Sequence, residues 1–141
     1  MPIEIRAASW HRDEATLADI RRRVFIEEQA VPAALEWDVE DAAAEHWLGL
    51  LDGRAVGTVR MLADGHIGRM AVIADSRRRG VGSALLEAAI AYAHSHGHDE
   101  LYLHAQVHAL SFYARHGFRA EGPEFMDAGI PHRSMRRALS P

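Results

Sequence analysis

Apolar and polar positions alternate where the chain opens, and Ile3 and Ile5 point to one side of a short strand. From Asp13 the period lengthens to that of a helix: Leu17, Ile20 and Val24 share one face of a segment that Asp13 caps and that runs to about Gln29. The period then stops. Residues 30–44 contain Pro32 and the acids Glu36, Asp38, Glu40 and Asp41, and read as a long surface loop beside that helix, a kind of loop that often carries substrate contacts. Apolar runs at 47–51 and 55–62 flank Asp52-Gly53, a pair suited to the positive φ angles of a tight hairpin. Asp64-Gly65 repeats that chemistry ahead of a third strand over 66–73, which includes Met70 and Val72. Helical spacing returns over 80–96, with Val81, Leu85, Ala88, Ala89 and Tyr92 on one face and Gly97 as the stop. A strand over 101–105, a short helix over 108–116 closed by Gly117, and strands over 118–126 and 133–139 complete the order β, α, three β, α, β, α, β, β, without internal repeats.

Length and composition narrow the class. A chain of 141 residues suits one domain with a sizeable core, and 48% hydrophobic with 26% charged residues argues against a disordered or fibrous chain. The formal charge of −4 offers no large basic surface for nucleic acid, although Arg77, Arg78 and Arg79 form a local exception. The chain has no cysteine, which removes disulfides, thiolate nucleophiles and Cys-ligated metals and fits a reducing compartment. Residues 1–12 lack the apolar core of a signal peptide, and no apolar stretch approaches the roughly 18 residues of a spanning helix. A soluble cytoplasmic protein with no membrane partner is the expectation.

The most informative segment is Arg77-Arg78-Arg79-Gly80-Val81-Gly82-Ser83. A glycine pair opens a helix soon after a strand, so main-chain N–H groups converge at the positive helix end, and the arginines add charge-assisted contacts to phosphate oxygens. Two other nucleotide-binding readings fail on neighbouring residues. A P-loop needs Gly-Lys-Ser/Thr, yet Ser83 and Ala84 follow Gly82. A Rossmann turn wants its third small residue where Leu85 stands, and sits in the first strand-helix unit. The plain alternative is a helix N-terminus with solvated arginines.

Arg77, Gly80 and Gly82 match the Arg/Gln-x-x-Gly-x-Gly/Ala signature, and Gln106-Val107-His108-Ala109-Leu110-Ser111-Phe112-Tyr113 with Gly117-Phe118 matches the later Asn-x-x-Ala-x-x-Phe-Tyr and Gly-Phe block, of the GNAT acetyltransferases. By these two ordered motifs the chain resembles that family, with one departure, Gln106 in place of the usual Asn. Arg21, Val24-Phe25, Glu28-Gln29, Glu36, Asp38, His46, Arg69 and Gly129-Ile130-Pro131-His132 further resemble its ElaA-like subgroup, so that the likeness spans about residues 3 to 138.

The resemblance implies a mixed α+β fold, a central, mostly antiparallel sheet flanked by helices, with two strands splayed apart over acetyl-CoA. It assigns the pantetheine amides to main-chain groups of Met70, Ala71 and Val72, and the pyrophosphate to residues 77–83: Arg77, Arg78, Arg79, Gly80, Val81, Gly82 and Ser83. Gln106 and Phe112 belong to the same cofactor wall, and Tyr113 stands at the position of the general acid that protonates the leaving thiolate. For the base, Glu28, Asp38, His46, His104 and His132 are candidates, with Glu28 and His132 first. Each has a plainer reading: an aromatic packed beside Phe112 for Tyr113, a carboxylate paired with Arg21 or Arg23 for Glu28, a turn residue after Pro131 for His132. Arg21 and Arg69 read as an ion-pair network with Glu28 and Asp38, or as an anion site. His94, His96 and His98 straddle a helix end and do not share a face, so no metal site is expected. The expected partner is a small-molecule or peptide amine, with no nucleic acid and with homodimerisation left open. A non-catalytic acyl-CoA sensor is the competing function, and a nucleotide-binding regulator a remote one.

Overall fold

The computed structural model describes residues 2–139, which build a seven-stranded sheet in the order β1-β2-β3-β4-β5-β7-β6. β1 (Ile3–Ala8), β2 (Glu45–Leu51), β3 (Arg54–Met61) and β4 (His66–Val72) form one antiparallel set. β5 (Glu100–Gln106), β7 (Ile130–Ala138) and β6 (Arg119–Asp127) form another. The expected α+β architecture with a mostly antiparallel sheet is present. β4 and β5 join the sets in parallel, because the chain crosses between them through α3 (Val81–Ser95) rather than through a hairpin.

That parallel pairing lasts for two registers, His66 with Tyr102 and Ile67 with Leu103, and then the strands part. A bulge bends β4 away: Thr58 faces Ala71 and Arg60 faces Gly68, so Arg69 and Met70 together oppose Val59. Arg69 adopts a φ of 47°, unusual for a residue with a Cβ, and its guanidinium Nη2 is tied down by the Glu36 carbonyl at 3.0 Å and Asp38 Oδ2 at 3.1 Å.

Helices cover both faces of the inner strands, as the unbroken burial of residues 46–49 and 56–61 requires. α3 lies on one face, with Leu85, Leu86, Ala89 and Ala93 in the core. Its close approach depends on two glycines. A Cβ on Gly49 would stand 2.7 Å from Val81 Cγ1, and one on Gly57 would stand 3.0 Å from Leu85 Cδ1 and 3.1 Å from the Ala71 carbonyl.

α1 (Trp10–Arg21) packs over β3 and β4 through Leu17 and Ile20. The sequence places its cap at Asp13, but the structure places it at Ser9. Ser9 Oγ accepts the Arg12 N–H at 3.1 Å, and Asp13 Oδ2 accepts the Ser9 N–H at 3.0 Å, so Asp13 supports the first turn from within. The last part of the predicted helix widens into a π-helical stretch, Arg22–Glu28, in which the Gln29 N–H reaches the Val24 carbonyl.

Residues 30–44 lie mostly exposed, as expected of a surface segment, but they are not a bare loop: α2 (Ala33–Glu36) and a 3-10 turn (Val39–Ala42) form within them, and two of the acids turn inward, Glu36 and Asp41 being only 3% and 1% exposed. Arginines draw them in. Arg21 donates from Nε to Glu36 at 2.6 Å and from Nη1 to Asp41 at 2.8 Å, and its guanidinium lies between the rings of Trp10 and Trp37. Arg60 pairs with Asp38 and Asp41, and Arg69 with Glu36 and Asp38. Each buried carboxylate therefore faces guanidinium, the condition under which charge tolerates burial.

Downstream, the predicted short helix is a 3-10 turn (Val107–Ala109) followed by α4 (Leu110–Ala114). β7 starts earlier than predicted, because Ala128 and Gly129 make a tight hairpin at φ values of 52° and 77° and Pro131 falls inside the strand. Among the described residues no helix is long and apolar enough to cross a membrane.

Candidate functional site

Parting of β4 from β5 opens a cleft of ≈ 910 Å³, with the bulged half of β4 on one side, the π-helical stretch that follows α1 at one rim, and α4 with the end of β5 at the other. At its splayed end, beyond Val72, the chain leaves β4, passes a 3-10 turn (Ala74–Ser76) and reverses through Arg78 and Gly80, at φ values of 64° and 89°, into α3. Gly80 is the N-cap and no side chain caps the helix. The first-turn amides of Val81, Gly82 and Ser83 have no carbonyl one turn earlier, so the positive end of α3 is available to an anion. A Cβ on Gly82 would stand 3.6 Å from the Phe112 ring and 3.8 Å from Val72 Cγ2, in the space between them.

Met70, Ala71 and Val72, the turn residues Arg77, Arg78, Gly80, Val81, Gly82 and Ser83, and Gln106 and Phe112 all line this cleft, whereas Arg79 lies outside its lining. Arg77 spans the rim. It donates from Nε to the Val72 carbonyl at 2.8 Å and from Nη1 and Nη2 to the two Glu28 oxygens at 2.7 and 2.5 Å. The hydrogen bond from Arg77 holds the Glu28 carboxyl below the usual carboxylate range.

Gln106 ends β5 and reaches across to the residue that closes the π-helical stretch: its Nε2 donates to Gln29 Oε1 at 2.9 Å, while His108 Nε2 donates to Gln106 Oε1 at 2.6 Å. The longer amide at this position thus has a partner across the cleft. His132 is the cross-strand neighbour of Gln106 and is 8% exposed. Its Nδ1–H donates to the Ile130 carbonyl at 2.7 Å, which leaves the lone pair on Nε2. Tyr113 is half-buried, with the rings of Phe112 and Phe118 5.0 and 6.1 Å away, and burial pushes its phenol up to about 12.

Of the five candidate bases, Glu28, His104 and His132 line the cleft and Asp38 and His46 do not. Asp38 is bound to Arg60 and Arg69. His46 is buried with its Nε2–H on the Asp41 carbonyl at 2.9 Å, and burial lowers its pKa. The network predicted around Arg21 and Arg69 exists, but its carboxylates are Glu36, Asp38 and Asp41, whereas Glu28 pairs with Arg77. Arg60 is a member that pattern reading missed, although a charge inside the apolar run 55–62 was a visible signal. His116 and Asp127 also contribute to this region without any local signal that could have found them.

Residues 8–139 match the family model of the acetyltransferase (GNAT) domain. The uncharacterized N-acetyltransferase YjcF of Bacillus subtilis is 37% identical over 134 residues, covering 89% of this chain and 95% of the relative. Two crystal structures superpose with a TM-score of 0.85. An acyl-CoA N-acyltransferase from Pseudomonas aeruginosa is 29% identical, covering 97% of this chain and 100% of that one. Escherichia coli ElaA is 28% identical, covering 96% of this chain and 99% of that one.

Proposed function

Because the chain belongs to the GNAT acetyltransferase family, and is thereby an acyltransferase, we propose that it moves an acetyl group from acetyl-CoA directly to a primary amine of a small molecule or peptide. One observation carries this reading: the uncapped N-terminus of α3, the unpaired edge of β4 and the hydroxyl-bearing Tyr113 share one cleft.

Acetyl-CoA supplies an activated thioester. Main-chain groups of Met70, Ala71 and Val72 offer strand-like pairing to an extended amide chain, and an N–H there polarises the carbonyl under attack. The first-turn amides of Val81, Gly82 and Ser83, with Arg78, receive the diphosphate. Arg77 joins them only by leaving Glu28. A lysine-like amine, with a pKa of about 10.4, attacks only after losing its proton. His132 accepts that proton at Nε2, since Nδ1–H is already committed to Ile130. Glu28, a carboxylate with lowered pKa, suits attraction of the ammonium form to the rim before His132 acts. Tyr113 stays protonated at neutral pH and returns a proton to the departing thiolate.

The test is free-thiol release from acetyl-CoA by the purified chain across a panel of primary amines. Amine-dependent release is expected. Tight CoA binding with no release for any amine would instead assign a binding module.

A further inference from the structure

Away from the reacting carbonyl, three side chains form a line that the transfer chemistry does not use. Ser83 and Glu87 stand one turn apart on α3 and so share a face. His116, from the turn after α4, fits between them: Nδ1 lies 2.5 Å from Glu87 Oε2, and Nε2 lies 3.1 Å from Ser83 Oγ. The backbone aims the ring. The His116 N–H donates to the Tyr113 carbonyl at 2.9 Å, its own carbonyl accepts from Arg137 Nη1 at 2.6 Å, and the Phe112 ring packs 5.2 Å away.

The inventory of donors and acceptors then leaves one choice. An ionised carboxylate only accepts, so His116 Nδ1 carries hydrogen whatever the charge of the ring. With a neutral ring, Nε2 is a lone pair, Ser83 donates its hydroxyl hydrogen to it, and an oxygen lone pair faces the cleft. With one proton taken from solvent onto Nε2, the ring donates to Ser83 Oγ, and the Ser83 hydrogen turns free. Ser83 is the third residue of α3 and lines the cleft, so that hydrogen points into the same space as the helix amides.

We infer that Glu87, His116 and Ser83 form a proton-dependent donor for the diphosphate of coenzyme A, with His116 as the positioning residue that sets the polarity of the Ser83 hydroxyl. This rests on the reading of residues 77–83 as the diphosphate cradle. Phosphate binding and His116 protonation then favour one another by the same factor, since linkage is reciprocal. Charges near His116 come from several elements: Glu87 on α3 contacts the ring and supports the imidazolium, while Arg137 on β7, bound to the His116 carbonyl, and the chain neighbour Arg115 oppose it, and a bound diphosphate would add negative charge on the imidazolium's side of that balance.

Dephospho-CoA separates the contributions, because its diphosphate carries no group that titrates near neutrality, unlike the 3′-phosphate of CoA. Calorimetric titration in buffers of different ionisation enthalpy should show uptake of up to one proton on binding. Affinity should weaken about tenfold as pH rises across the interval from about 5 to 8, in which histidines ordinarily change charge. His116→Gln should abolish both effects, and Glu87→Gln, which leaves the ring in place, should move the decline to lower pH. Binding with buffer-independent enthalpy and level affinity, or proton uptake that survives in His116→Gln, overturns the inference while leaving the cradle intact. Failure of both dephospho-CoA and CoA to bind overturns the cradle and the inference together.

Discussion

A phenol held at about 12 is a proton donor throughout the neutral range, and Tyr113→Phe removes that donor while keeping the ring between Phe112 and Phe118. Turnover should fall about 100-fold, the usual scale for loss of a general acid, with CoA affinity by calorimetry nearly unchanged. Unchanged turnover would take Tyr113 out of the chemistry. Glu28 offers an opposite test, because its two oxygens occupy Arg77, which in the proposed function would have to leave them to reach the diphosphate. Glu28→Ala should tighten CoA binding about two- to fivefold, a modest gain because the pair is well exposed, and weaker binding would mean that the carboxylate helps to hold the ligand. That Tyr113, Gly80 and Gly82 line one cleft was legible from sequence because their motifs span a few residues. The engagement of Arg77 by Glu28 was not, since the partners lie 49 residues apart, and neither was the Gln29–Gln106 bridge, at 77.

Elements whose causes are local match the pattern well. Both hairpins of the meander follow from Asp-Gly pairs, and α3 follows from its apolar face between Gly80 and Gly97. Elements shaped by remote partners do not match. The 30–44 segment is largely exposed, as its acids suggest, yet Arg21, Arg60 and Arg69, from three different elements, turn Glu36 and Asp41 inward and decide where Asp38 points. Ser9, rather than Asp13, takes the cap because its short hydroxyl reaches the Arg12 N–H while Asp13 folds back. The seat of α3 on the sheet is the element-scale property most open to test. Gly49→Ala would force Val81, a stiff β-branched side chain, out of its position, and overpacking of this kind costs about 1–3 kcal/mol. Thermal unfolding should therefore occur several degrees lower, with CoA affinity reduced as the first turn of α3 shifts. A melting temperature equal to that of the parent chain would show that helix and sheet are not in such close contact.

For the molecule as a whole, several titrating groups act in the same direction under acid. Burial holds the pKa of His46 and His66 below the ordinary imidazole value, so their contribution is complete above about 6.5 and is lost as pH falls from there. Asp13, Glu28 and Asp64 are held below the usual carboxylate range by the Ser9 N–H, Arg77 and the Tyr102 hydroxyl respectively. Burial raises Asp41, but Arg21 and Arg60 outweigh it and leave its pKa lowered. Carboxyls of this kind lose their stabilisation as pH falls below about 4, whereas Glu36, raised by burial beyond what Arg21 and Arg69 offset, works the other way. The melting temperature should decline in two stages on acidification, first below about 6.5 and again below about 4. A flat profile between neutrality and pH 5 would place both histidines in solvent.

The brief contact between β4 and β5 has a mechanical consequence. Two rungs fasten a four-stranded half of the sheet to a three-stranded half, and beyond them the halves are joined through packed side chains and the covalent crossover. An extended amide arm lying in the gap would act as an eighth, non-covalent strand, so the reagent would be a structural member of the protein while it is held there. On its release the two halves would regain independent motion about that seam. Catalytic turnover and the rigidity of the scaffold would then rise and fall in step.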